Sequence, residues 1–236
     1  NCGRAIACYA RLAINLNDTL YMSHKSNTIF DRWIAGYLKK KLQRPYVHLL
    51  FGARQTGKST LLRSLLPPDT LRIDLADPNE RSRYSAAPGE FIHACKALPR
   101  QKKCQFVFVD EAQAVPEIFG AVQSLYDDDK TRWRFVLCGS SARKLRRTGA
   151  NLLPGRSLMH HLYPLTLYER PPDASPHDAL IASPLVLPPP VGGPLKNPFP
   201  KTGLMERLAY GDLPGIVTAK NEDKASLLKT YAVVHL

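Results

Sequence analysis

The chain has 236 residues, 44% of them hydrophobic and 22% charged, with a formal net charge of +13. That length and balance are enough for one substantial core and the beginning of a second domain, and they point to a soluble globular protein with no membrane partner. Its five cysteines (Cys2, Cys8, Cys95, Cys104, Cys138) include no C-x-x-C pair and its seven histidines show no metal-ligand spacing, so reduced thiols in a cytoplasmic protein are expected.

Taken in chain order, residues 1–25 read as a leader or an upstream segment, because the first methionine is Met22 and the apolar run 6–14 is broken by Arg11 and too short to span a bilayer. Thr28 followed by Asp31 predicts a capping pair for a helix whose apolar positions are Ile29, Trp33, Tyr37 and Leu38. Lys39, Lys40 and Lys41 end that helix, and Arg44 follows.

Residues 46–51 are an apolar run of buried-strand character, and residues 59–66 carry a helical repeat closed by Pro67 and Pro68. Between them stands Gly52-Ala53-Arg54-Gln55-Thr56-Gly57-Lys58-Ser59-Thr60, which fits G-x-x-x-x-G-K-[ST] in the strand–loop–helix context that the motif requires. Each position has a physical role in holding a triphosphate. Gly52 and Gly57 admit backbone angles that turn N–H groups inward, and the helix behind them adds free N–H groups and a positive dipole end. Lys58 supplies a point charge for the β- and γ-phosphates, and the Ser59 hydroxyl is suited to Mg²⁺. Thr60 fits a helix position better than a second ligand.

The run 104–109 predicts a second buried strand that delivers Asp110 and Glu111 at its carboxyl end, the arrangement of a Walker B strand. Asp110 is the candidate for the Mg²⁺ shell, and Glu111 is the candidate base for an attacking water. The run 133–138 predicts a third strand opening into Gly139-Ser140-Ser141, where Ser140 and Ser141 would act as a sensor of the γ-phosphate or as a cap for the helix expected over 142–147. Arg143 and Arg156 are candidates for a guanidinium that meets developing γ-phosphate charge, against a solvated basic face as the alternative. His160 and His161 are expected to begin a fifth strand.

With these motifs in place, the segments 52–60, 110–113, 139–145, 153–156 and 164–169 resemble the prokaryotic AAA-type ATP-binding proteins that carry a C-terminal domain of unknown function. Tyr210-Gly211-Asp212-Leu213-Pro214 is similar to the opening of that C-terminal domain. The resemblance implies an α/β P-loop NTPase fold of the additional-strand, catalytic-glutamate type, a parallel sheet flanked by helices. In that fold the strand ending at Gly139 is inserted between the phosphate-loop strand and the Walker B strand. It also marks Arg143 and Arg156 as motif positions, and implies that this chain is an N-terminal part of a longer protein.

Half of the twenty prolines lie within 171–200, a composition that resists helix and sheet interior and reads as a linker over 171–202. The expected organisation is therefore a P-loop domain over 26–170, this linker, and the start of a helical domain over 203–236, whose last helix has acids in its first turn and no stop signal. The functional expectation is a Mg²⁺-dependent ATPase that couples ATP hydrolysis to conformational change and works as a homo-oligomer, with Arg156 or Arg143 supplied by a neighbouring subunit. The alternative is a slow-turnover, nucleotide-gated module that binds DNA or a protein, for which the net charge and the basic runs at 39–44 and 143–147 would provide the contact. A GTPase is disfavoured because no N-K-x-D motif occurs, and a small-molecule kinase because no acceptor site or lid is evident.

Overall fold

In a computed structural model the described residues are 30–100, 104–140, 152–173 and 195–235. The capping reading of Thr28 and the leader reading of 1–25 fall outside them, apart from neighbours that begin at Phe30. The described residues from Asp31 onward belong to one compact unit.

The centre of that unit is a five-stranded, all-parallel sheet: β1 (Val47–Phe51), β2 (Leu71–Asp74), β3 (Gln105–Asp110), β4 (Trp133–Gly139) and β5 (Ser157–His161), in the spatial order β2-β3-β4-β1-β5. Strand β4 therefore lies between the phosphate-loop strand β1 and the Walker B strand β3, as the resemblance implies. Strands buried on both faces read as continuous apolar runs, which is why β1, β3 and β4 were legible without alternation. The two faces use alternate residues. Val47, Leu49, Phe51, Val107, Val109, Phe135 and Leu137 join one core, and Leu50, Phe106, Phe108, Val136 and Cys138 join the other.

Helices cover both faces. Helix α1 (Ala35–Lys41) and helix α2 (Lys58–Leu65) close the second core with Leu38, Leu61 and Leu62. Helices α3 (Pro78–Ala86), α4 (Gly89–Lys96) and α5 (Ile118–Asp128) close the first with Tyr84, Phe91, Cys95, Val122 and Leu125. Helix α3 starts where its sequence says it should: Asp77 accepts a hydrogen bond from the Asn79 N–H at 2.8 Å, and Pro78 occupies the first turn.

Two local expectations are corrected. Helix α1 begins at Ala35, and Asp31 caps nothing in it. Its carboxylate instead accepts the backbone N–H groups of Lys196 and Asn197 at 2.8 and 2.9 Å, which binds a far segment to this one. The fifth strand ends at His161 where it was expected to begin, because the backbone from Ser157 pairs with β1 in register Val47↔Ser157 to Phe51↔His161. Pro164, which has no N–H to donate, follows the last such contact, from Leu162 N to Phe51 O at 2.7 Å.

Residues 174–194 of the Pro-rich segment lie outside the described residues. Beyond them, Phe199 is buried and its N–H donates to Glu169 O at 2.6 Å, so residues 195–202 pack on the sheet domain. Helices α6 (Leu204–Tyr210), α7 (Pro214–Val217) and α8 (Asn221–His235) complete the unit, with α8 packed on both α6 and α7.

Candidate functional site

Because all five strands run parallel, their carboxyl ends share one edge of the sheet, and the loop after β1, the acids after β3 and Ser140 after β4 meet there. The loop geometry explains its glycines. Gly57 stands before α2 with φ +84°, in the left-handed region where a side chain costs about 1 kcal/mol. At Gly52 an added Cβ would fall 2.2 Å from the Leu162 carbonyl oxygen, so the loop leaves β1 with its backbone against the end of β5. Thr56 is buried and its hydroxyl donates to Ala53 O at 2.8 Å, while Ala53, Arg54 and Gln55 are exposed at the rim.

Lys58 is buried, with Nζ donating to Gly52 O and Ala53 O, each at 2.9 Å. An ammonium has three N–H bonds, so one remains for a phosphate oxygen while two define the loop's curvature. Ser59 is half-buried one position into α2, and Thr60 is exposed on the helix, which suits a solvent-facing helix residue.

Asp110 is buried at the end of β3, where its Oδ1 accepts from the Cys138 thiol at 2.7 Å and from the Glu111 N–H at 3.0 Å. Burial and the neighbouring Asp110 carboxylate push the Cys138 thiol well above its ordinary range, so the thiol keeps its proton and donates. The sequence marked Cys138 only as a core thiol; its part in orienting the acid follows from β3 and β4 being adjacent. Asp110 and Ser59 are hard oxygen donors, the chemistry Mg²⁺ prefers, and among the described residues no cluster of three His, Cys, Asp or Glu offers an all-protein metal cage. This donor set fits an ion that completes its shell with phosphate oxygens and water.

Glu111 has φ +50°, a left-handed conformation directly after the end of β3. Its carboxylate accepts a hydrogen bond from Gln113 Nε2, which also lies 3.5 Å from Ser140 Oγ. Gln113 therefore bridges the candidate base and the candidate sensor. At Gly139 an added Cβ would fall 2.2 Å from Gln113 Oε1, so the glycine at the end of β4 leaves room for this bridge. Ser141 and Arg143 lie outside the described residues.

Arg156 lies elsewhere. It immediately precedes β5, its carbonyl accepts from Val47 N at the start of β1, and its Nε donates to Asp127 Oδ1 at 2.7 Å. That is the amino end of the sheet, opposite the phosphate loop, so within one chain Arg156 is not brought beside Lys58 or Glu111. The positional argument for it as a neighbour of the γ-phosphate is corrected accordingly, since a residue ahead of a parallel strand emerges at the other edge.

Arg32 is a site residue that sequence reasoning missed. It is buried, and its guanidinium donates to the Thr56 carbonyl in the phosphate loop, to Tyr163 O at 2.8 Å and to Glu169 Oε1 at 2.8 Å. Glu169 is 1% exposed and its carboxylate also accepts from the backbone N–H groups of Trp33 and Thr166 at 2.6 and 2.7 Å. The phosphate loop is thus fastened from behind by an ion pair that joins residues 137 positions apart. Nothing in the local pattern around Arg32 signals this contact.

A family model described as "AAA domain" matches residues 44–170. Two uncharacterized proteins, from Mycobacterium bovis and Mycobacterium tuberculosis, are each 31% identical over 136 residues, which is 56% of this chain and 28% of theirs. The match thus spans less than a third of the length of these relatives. Among solved structures, a Walker-type ATPase of Pyrococcus abyssi is similar at 22% identity and a TM-score of 0.42 over 62% of this chain and 57% of its own. The P-loop NTPase domain of a sigma-54 transport activator from E. coli is similar at 16% identity and a TM-score of 0.38, over 57% of this chain and 96% of its own.

Proposed function

The chain belongs to the AAA domain family, a nucleotide-binding, ATPase-like P-loop group, and from that premise we propose that it binds Mg·ATP and hydrolyses it to drive a conformational change. The observation that carries this reading is the convergence at one sheet edge of a cationic phosphate loop, a buried acid and a second acid that follows it in the chain. Lys58 and the loop N–H groups bind and orient the triphosphate. Asp110, oriented by Cys138, and Ser59 would hold Mg²⁺, which supplies neutralisation of phosphate charge when bound. Glu111 takes the proton of a water aligned with the γ-phosphate, and Gln113 with Ser140 sets where that carboxylate sits.

Two substitutions test it. Lys58→Ala leaves triphosphate charge without its cation, and Mg·ATP affinity measured by calorimetry should be lost. Glu111→Gln keeps the shape and removes the base, so ATP stays bound while turnover falls by roughly 10²- to 10⁴-fold. Unchanged affinity in the first variant, or unchanged turnover in the second, removes the corresponding role. A nucleotide-gated DNA contact is the second reading, supported by the exposed Lys39, Lys40 and Arg44 at the end of α1. Duplex affinity should then fall steeply with salt. A flat response disposes of it.

A further inference from the structure

We propose that Cys138 is a positioning residue that makes Asp110 a one-oxygen ligand and so sets the preference of the site for Mg²⁺ over Ca²⁺; this rests on the Mg·ATP reading above. The inference starts from strand register. Strands β3 and β4 run parallel with Val109 opposite Leu137, so Asp110 and Cys138 are the next pair and leave the sheet on the same face. That face carries the core closed by α2, where Cys138 joins Leu50, Leu61 and Leu62. A thiol suits the position, because it packs as a small apolar group and still has one proton to donate.

The backbone of Asp110 is fixed by the sheet, and its carbonyl accepts from Leu75 N at 3.1 Å. What stays soft is the last side-chain torsion, since an aspartate carboxylate turns in a broad, two-fold well. Two donors restrain it. Oδ1 accepts from the Cys138 thiol at 2.7 Å and from the Glu111 N–H at 3.0 Å, and among the described residues Oδ2 accepts from none. The Glu111 N–H belongs to the adjoining peptide and travels with Asp110. The thiol belongs to another strand, so it is the contact that ties the carboxylate plane to the neighbouring strand. The acid is thereby divided into one oxygen committed to the protein and one left for an ion.

The two cations ask different things of such an acid. Mg²⁺ takes about six oxygens in a tight octahedron, keeps several waters and is content with one oxygen from a carboxylate. Ca²⁺ takes about six to eight at longer range and gains from a carboxylate that offers both oxygens. For Asp110 to chelate in that way, Oδ1 would have to turn away from both donors and leave a buried S–H without an acceptor, at a desolvation cost. Mg²⁺ requires no such turn. Selectivity is then built into a strand neighbour that need not touch the ion.

The test measures, by calorimetry on the full chain, the Kd for ATP in Mg²⁺ and in Ca²⁺. The unaltered protein should bind Mg·ATP at least about tenfold more tightly than Ca·ATP. Cys138→Ala removes the donor, and this ratio should fall about tenfold, chiefly because Ca·ATP binds more tightly. Cys138→Val, which suits a buried strand and cannot donate, should follow it. Cys138→Ser keeps a donor at the same place on β4, so its ratio should stay within about threefold of the unaltered protein's. A cysteine that only packs would shift both Kd values together in Cys138→Ala and Cys138→Val, and an unchanged ratio there overturns the proposal. A serine variant as unselective as these two overturns the hydrogen bond as its cause. An unaltered protein that binds both forms of ATP alike overturns the selectivity while the ATP-binding reading stands. One that binds ATP with neither cation overturns both.

Discussion

Replacing Arg32 with alanine should both destabilise the protein and weaken its hold on nucleotide, and the structure sets the scale of each effect. The guanidinium makes three contacts to three segments, at Thr56, Tyr163 and Glu169, and both members of the ion pair are almost fully buried. Removing one partner of such a pair strands the other charge, a loss of about 3–5 kcal/mol. Glu169 keeps its two backbone donors, which places the expected cost near the lower end, ~3 kcal/mol. For a chain of this size that is a fall in Tm of roughly 6–12 °C. Arg32→Lys should recover little, because one ammonium on a flexible stem does not span the planar fork's three acceptors. Arg32→Met combined with Glu169→Gln separates the two consequences. With no charge stranded, most of the stability should return, while Thr56 remains unfastened and Mg·ATP affinity stays reduced. Thermal melts and calorimetry on the three variants check this. A Tm within 2 °C of the parent in Arg32→Ala, or full affinity in the double variant, would refute the clamp.

The His48–His160 pair, with ring nitrogens 3.1 Å apart between β1 and β5, makes a pH prediction. Burial lowers both imidazoles from 6.5 to about 4, so the unfolded chain binds their protons first. Their contribution is full above about pH 6.5, is lost as pH falls towards 4, and levels off below. The linkage is at most about 3 kcal/mol per imidazole. His160→Gln should flatten urea-derived stability across that window, and an unchanged slope would count against the pair. At the site, Gly139→Ala forces Gln113 off its bridge and should lower kcat at least about tenfold with Mg·ATP affinity little changed; equal losses in both would mean that the strand end itself was disrupted. Arg156→Ala should leave turnover per chain unaltered in dilute protein, since its partner is the exposed Asp127 at the far edge of the sheet. A loss there would return Arg156 to the chemistry.

Contiguous chemistry was legible from the amino-acid order alone. The phosphate loop, the acids after β3 and the apolar runs of β1, β3 and β4 are each written within a few neighbouring residues, because backbone conformation and burial act locally on them. The place of β4 beside β1 came from resemblance to a family. What only the tertiary structure decided are contacts between distant segments. Arg32 behind the loop, Cys138 on Asp110, and Gln113 spanning Glu111 and Ser140 depend on which elements become neighbours, and no local propensity encodes that. Arg156 shows the same rule from the other side. Its place in the chain, just after a motif strand, suggested nearness to the γ-phosphate. The direction of a parallel strand put it at the opposite edge, because every crossover in such a sheet carries the chain back to the amino end before the next strand begins.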